Sequence, residues 1–258
     1  MPTNPTVELM GMSIDVLDSL ALLDAMFGEL AVGKGGWIVT ANLDILRRYV
    51  LDSRMEALYG AADLRVADGM PLVWAARMQG DVLPERVTGS TLVWQIAERA
   101  AQEGRSLYLL GGDPGAAEGA SAELTARYHG LVIAGLSSPR VSSPPTAAEL
   151  DAITRDLEAA GADIVYIAFG SPKQEYIAQA LRLRFPDKWF IGVGISLGFI
   201  AGRLRRAPEW MQRHGLEWIH RLVQEPRKLA RRYLVRNLPF AARLFATAMR
   251  RRAAQRVE

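Results

Sequence analysis

Short apolar runs that alternate with longer amphipathic stretches constrain this chain more than any other feature of it. Strands are expected at Val7–Met10, Trp37–Thr40, Leu64–Ala67, Ser106–Leu110, Leu131–Ala134, Asp163–Phe169 and Trp189–Gly192. Helices are expected at Asp18–Leu30, Leu43–Leu51, Pro71–Met78, Thr91–Glu103, Gly115–Tyr128, Ala147–Ala160 and Gln174–Phe185, with several more after Pro208. A strand followed by a helix and then another strand is the unit of an α/β fold. Repeated along the chain, it predicts a mostly parallel sheet with helices on both faces. The run from Ser137 to Pro145 reads as an exposed loop.

In such sheets ligands bind where strands end and helices begin. Four strand exits are polar or glycine-rich: Thr40-Ala41-Asn42, Asp68-Gly69-Met70-Pro71, Gly111-Gly112-Asp113-Pro114-Gly115 and Gly170-Ser171-Pro172-Lys173-Gln174-Glu175. A parallel sheet gathers them on one edge. Gly111-Gly112 would allow close backbone approach to a phosphate, although any tight turn can use two glycines. Asn42, Asp113 and Ser171 also suit a helix N-cap.

Composition removes several classes of chemistry. Half of the 258 residues are hydrophobic, enough for a sizeable core. With no cysteine there is no disulfide, thiolate metal site or cysteine nucleophile, and three histidines leave little for a zinc site. No metal and no cofactor are expected. The longest uncharged apolar run, Trp189 to Gly202, holds 14 residues and four glycines, well short of the roughly 20 a spanning helix needs. Met1-Pro2-Thr3-Asn4-Pro5 lacks the basic and apolar regions of a signal peptide. A cytoplasmic location is expected.

The net charge of +3 conceals an asymmetry. From Arg203 onward there are 15 Lys and Arg against four acidic residues, a net +11 that leaves −8 on residues 1–202. The shift marks a boundary between a core, 1–202, and a basic helical C-terminal appendage, 203–258. Leu229, Tyr233 and Leu234 share one helical face, as do Phe240, Leu244, Phe245 and Ala248, with arginines opposite. That pattern suits a helix lying on an anionic membrane surface. Nucleic acid would accept the same charge, but no nucleic-acid module is recognisable and none is expected as a partner. The apolar set Met70, Leu72, Trp74 and Met78 fits either core or a contact in a homo-oligomer.

Two further motifs fail on context. Gly192-Val193-Gly194-Ile195-Ser196-Leu197-Gly198 is a loose dinucleotide fingerprint, yet it follows the last strand and no acid stands at the usual distance. The same stretch matches the G-x-S-x-G nucleophile elbow. No aspartate follows Asp187, and too few residues remain for the rest of that fold.

Taken in order, Thr40-Ala41-Asn42, Ala67-Asp68-Gly69, Pro84-Glu85-Arg86-Val87-Thr88-Gly89, Leu109-Leu110-Gly111-Gly112 and Gly170-Ser171-Pro172-Lys173-Gln174-Glu175 form a recognisable series. It continues through Gly192-Val193-Gly194, Ala201-Gly202, Arg206-Ala207-Pro208, Gly215-Leu216-Glu217-Trp218, Glu225-Pro226 and Arg231-Arg232-Tyr233. The chain thereby resembles the WecG/TagA/CpsF glycosyltransferases over roughly residues 6 to 235. The resemblance implies a Rossmann-like core with a membrane-docking appendage, located on the inner face of the cell membrane. It implies metal-independent, inverting transfer of a sugar from a UDP-sugar, often UDP-N-acetylmannosamine, to a polyprenyl-diphosphate-linked sugar acceptor in cell-surface polysaccharide synthesis.

The resemblance also implies roles. Asp68 matches the general base that takes the proton of the attacking hydroxyl, and Thr40 and Asn42 match the polar pair beside it. Arg86 and Gln174 match further pocket residues, Arg86 as a partner for diphosphate. Arg221, Arg227 and Arg231 are the appendage arginines assigned to a diphosphate. Many family members carry Phe-Asp where this chain has Leu197-Gly198. The donor sugar is therefore open between an N-acetylmannosamine and another hexose. Two other readings remain: a non-enzymatic nucleotide- or lipid-binding protein of the same fold, and a nucleic-acid-associated protein.

Overall fold

The computed structural model describes residues 4–255. Part of the N-terminal segment read above as lacking a leader lies outside them. The chain opens with a hairpin, β1 (Thr6–Leu9) antiparallel to β2 (Met12–Asp15). The sequence suggested a single strand over Val7–Met10. Met10 and Gly11 both take positive φ (51° and 92°), which closes a two-residue turn that the short run did not announce.

The succession is then α1 (Ser19–Ala31), β3 (Gly36–Ala41), α2 (Leu43–Leu51), α3 (Ser53–Gly60), β4 (Leu64–Ala67), α4 (Met70–Gln79), α5 (Gly89–Glu103), β5 (Ser106–Gly111) and α6 (Ala116–Arg127). It continues with β6 (Val132–Ser137), α7 (Ala147–Ala160), β7 (Ile164–Ala168), α8 (Lys173–Arg184), β8 (Trp189–Gly192) and α9 (Ser196–Ile200). The expected helices after Pro208 are α10 (Glu209–Arg213), α11 (Glu217–Gln224), α12 (Pro226–Ala230) and α13 (Leu238–Ala254), with a π-helical stretch, Arg231–Asn237, before the last. Helix α3 was not expected. The Asp52 side chain accepts from Arg54 N and restarts the helix immediately after α2 ends.

Strands β3 to β8 form one parallel sheet in the order β4-β3-β8-β7-β5-β6. Alternate residues point to opposite faces. Trp37, Val39, Tyr108, Leu110, Val165, Ile167 and Phe190 face a core made with the hairpin, α2, α3, α4, α7, α8 and α13. Ile38, Leu64, Val66, Leu107, Leu109, Ile164, Tyr166, Trp189 and Ile191 face the core made with α1, α5, α6 and α9. This is the expected Rossmann-like architecture, helices on both faces of a parallel sheet.

The C-terminal segment corrects one expectation. The apolar stripe of α13 is turned inward: Phe240, Leu244 and Ala248 are buried, join the body's core, and seat the helix against α4. Hydrophobic burial accounts for that amphipathicity without a membrane. Arg251 ties the same helix to β1 by donating to Glu8 O at 2.9 Å. Most of the exposed apolar residues of this segment lie before α13, at Trp210, Trp218, Val223, Leu234 and Val235, while Leu238 and Met249 are exposed on α13 itself. On α4, Leu72 is fully buried while Trp74 remains exposed. Among the described residues, no helix is long and apolar enough to cross a membrane.

Candidate active site

The strand exits converge as the parallel sheet requires. At the β3 exit Thr40 is buried, and Asn42 Oδ1 caps α2 by accepting from Asp44 N (3.0 Å) and Ile45 N (3.2 Å). The cap reading of Asn42 is therefore correct. Those of Asp113 and Ser171 are not. Helices α6 and α8 have Gly115 and Pro172 at their N-caps without a side-chain bond, and Ser171 Oγ meets the Tyr59 hydroxyl at 2.9 Å.

Asp68 follows β4 directly. Its N–H donates to Ala41 O (2.7 Å), binding the β4 exit to the β3 exit. Val87 N donates to Ala67 O (2.9 Å), which folds the Gly80–Thr88 loop back over the strand end and aims α5 at Asp68. Gly89 N lies 3.5 Å from Asp68 Oδ2. The start of a 15-residue helix therefore faces the carboxylate, where its dipole favours negative charge. Burial outweighs this and pushes the Asp68 carboxyl up to about 6. Arg86, the Gly89 N–H and Arg221 oppose the shift, and Glu217 adds to it. A carboxylate with that value is still ionised at neutral pH and is a stronger base than an ordinary aspartate.

Arg86 is paired across the chain with Glu217 of α11 (Nη1 to Oε2, 3.5 Å). Arg206 meets the other oxygen of the same carboxylate (Nε to Oε1, 3.5 Å) and also reaches Thr91 Oγ1 at 3.1 Å. A cavity of about 510 Å³ beside this cluster is lined by Met70, Arg86, Glu209 and Gln212. Glu217 and Arg206 both stand in motifs legible in the sequence, but nothing there assigned them a role.

On the other side of β3, Gln174 is buried against the β8 exit. Its Oε1 accepts from Gly194 N (3.1 Å), and its Nε2 donates to Glu175 Oε1 (3.0 Å). A Cβ on Gly192 would collide with this amide, so the glycine is what lets Gln174 approach. Burial raises the Glu175 carboxyl above its ordinary value. Thr40 and Gly192 both lie beside Gly89, and Gly69 lies beside Asn42. Thr40, Asn42, Asp68, Arg86 and Gln174 are thus gathered over β4, β3 and β8, with Arg221 near enough to act on Asp68.

Gly111 and Gly112 stand apart. They close β5, four strand positions from β4, or roughly 19 Å at the usual strand spacing. Both take positive φ (93° and 91°). A Cβ on Gly111 would lie 3.0 Å from Ala168 O and from the Phe169 ring, so tight packing of neighbouring exits already requires the first glycine. Arg227, on α12, and Arg231, on the π-helical stretch, are exposed. Leu197 is fully buried beside Gly112, and a Cβ on Gly198 would lie 3.0 Å from Leu204 Cδ1. An acid in the place of Gly198 would therefore require Leu204 to move. Among the described residues, no group of three or more His, Asp or Glu is placed to hold a metal ion.

The profile described as the glycosyl transferase WecG/TagA/CpsF family matches residues 7–254. Among solved structures, the Gly74Cys mutant of arylmalonate decarboxylase in its sulfate-associated form is similar at 15% identity over 74% of this chain and 77% of that one. The TM-score is 0.29, too low to bear on function.

Proposed function

Because the chain belongs to the WecG/TagA/CpsF family, glycosyltransferases of cell-surface polysaccharide synthesis, we propose that it moves a hexose from a UDP-sugar to a polyprenyl-diphosphate-linked sugar, with Asp68 as general base. The acceptor hydroxyl attacks the anomeric carbon from the face opposite the diphosphate. Its oxygen forms the new glycosidic bond, the bond from carbon to the UDP oxygen breaks, and the hydroxyl proton passes to Asp68. The configuration at that carbon inverts. The donor is UDP-N-acetylmannosamine or another UDP-hexose.

The observation that carries this reading is the setting of Asp68. Its carboxyl, raised to about 6, stands at a strand exit with Arg86 and Arg221 near it. The arginines supply positive charge for the departing diphosphate, with Arg227 and Arg231 contributing from the C-terminal segment. Thr40 and Asn42 hold the shape of the edge on which Asp68 stands. Gln174 sets the turn beside them.

Docking on the inner face of the membrane is part of the proposal. It is supported by exposed Trp218, Val223, Leu234 and Val235 interspersed with exposed Arg227, Arg231 and Arg236. Apolar residues among arginines suit an anionic interface.

The test is release of UDP from a panel of UDP-sugars, with a polyprenyl-diphosphate-sugar acceptor and anionic liposomes. Acceptor-dependent release that collapses in Asp68→Asn supports the transferase and names the donor. Release that survives in the variant removes Asp68 from the role of base.

A further inference from the structure

The carboxylate of Glu217 is the one acidic group described above that bridges the core loop and the C-terminal segment through two arginines. One oxygen faces Arg86, from the loop that precedes α5, and the other faces Arg206, from the connection after α9. Arg206 is itself fixed by the N-terminal turn of α5: its guanidinium donates to Thr91 Oγ1 (3.1 Å), Thr88 Oγ1 (3.4 Å) and Ser90 O (3.4 Å). That turn is also the one whose Gly89 N–H faces Asp68. Glu217 is 16% exposed, so little solvent lies between it and its partners.

Consider Arg86 without Glu217. A lone guanidinium near an enclosed carboxylate favours the ionised form and weakens it as a base. Shared with a second carboxylate, the same charge acts less strongly on the first. Only the C-terminal segment supplies that second carboxylate, since Glu217 opens α11.

We propose that Glu217 is the positioning residue through which the C-terminal segment acts on the active site: its carboxylate holds Arg86 and Arg206 and thereby keeps Asp68 a competent proton acceptor. The inference deepens the transferase reading and rests on it for its meaning, but the arrangement itself is measurable without turnover. The charged groups that bear on Asp68 are Arg86 from the loop that precedes α5 and Glu217 and Arg221 from α11, joined by a hydrogen bond from the Gly89 N–H of α5. Arg206 bears on the same site through Glu217 and through its hydrogen bonds to the N-terminal turn of α5.

The experiment is a carbon-13 titration of the Asp68 carboxyl in the full chain, with the resonance assigned by its loss in Asp68→Asn. Glu217→Gln keeps the shape and removes the charge. It should move the Asp68 titration down by on the order of half a pH unit or more. Glu217→Asp should hold it near the wild-type value, and Arg86→Gln should move it up. An Asp68 titration that stays in place in Glu217→Gln overturns the inference and leaves the transferase proposal untouched. If Glu217→Gln does not fold, Arg86→Gln decides: no upward movement there overturns the inference as well. A second readout uses activity. The acidic limb of kcat/KM should follow the carboxyl titration to lower pH in Glu217→Gln. A purely structural residue would lower the plateau and leave the limb where it was.

Discussion

Arg232, on the π-helical stretch, places its Nη2 3.3 Å from Oδ2 of Asp44, a carboxylate only 2% exposed at the start of α2. Arg47 and Arg48 complete the cluster at 3.1 Å each. Asp44 is two residues from the cap that shapes the β3 exit, so the C-terminal segment is pinned beside the candidate site.

Asp44→Asn should destabilise the protein by about 3 kcal/mol at neutral pH, because it leaves three guanidiniums without their buried counter-charge. Burial alone would raise the Asp44 carboxyl, but Arg232, Arg48 and Arg47 together hold it below its ordinary 3.8. A depressed value contributes stability above the unfolded-state value and loses it as pH falls through the folded one. Denaturant titrations should therefore show a gap between variant and wild type that is constant above pH 5 and narrows as pH falls below the ordinary aspartate value of 3.8. A gap unchanged at acid pH would contradict the assignment.

The proposed base predicts a pH profile. Asp68 accepts a proton only when ionised, and its carboxyl lies at about 6. Initial-rate kcat/KM should rise through pH 6 and level off by about pH 7, with a tenfold loss per unit on the acid side. Asp68→Asn should lower kcat by about 10³-fold with little change in donor KM.

The same carboxyl carries a cost in stability. Its folded value is raised, so its favourable contribution is complete below the unfolded value and is lost as pH rises through 6. Asp68→Asn should accordingly melt above wild type at pH 7.5, with the difference shrinking toward zero by pH 4. Calorimetry at the two pH values checks this. A variant that melts lower at pH 7.5 would mean that the charged form is favoured by its surroundings.

Two leucines of the C-terminal segment should behave differently. Leu244 is buried against the body, so Leu244→Ala should cost about 2–5 kcal/mol of stability. Leu234 is 48% exposed, and Leu234→Ser should leave unfolding nearly unchanged while weakening sedimentation with anionic liposomes. Equal sedimentation of Leu234→Ser and wild type would remove that face from the proposed docking surface.

Much of the fold was legible because strand exits and helix starts are written in local chemistry. Trp37–Thr40 and Ser106–Leu110 could be read directly, as could the capping of α2 by Asn42. The missing parts depend on distant partners. Nothing local says that the stripe of Phe240 and Leu244 meets α4 rather than a membrane, since both surroundings reward the same pattern. Asp68 stood out at a polar strand exit, but its role, like that of Arg86, came from a family resemblance, whereas Glu217 gained a role only when Arg86 and Arg206 appeared on either side of it. Gln174 was read as a pocket residue, and the partners of its amide, Gly194 and Glu175, are contacts that its local sequence does not announce.

Strand β8, the last strand of the sheet in sequence, is inserted between β3 and β7 at its middle. Without Trp189–Gly192 the sheet would be two pieces, β4-β3 and β7-β5-β6, each with an unpaired inner edge. Such edges are templates for pairing with other chains. The platform that carries Asp68 on one side and Gln174 on the other can therefore be completed only after about three quarters of the polypeptide has been made.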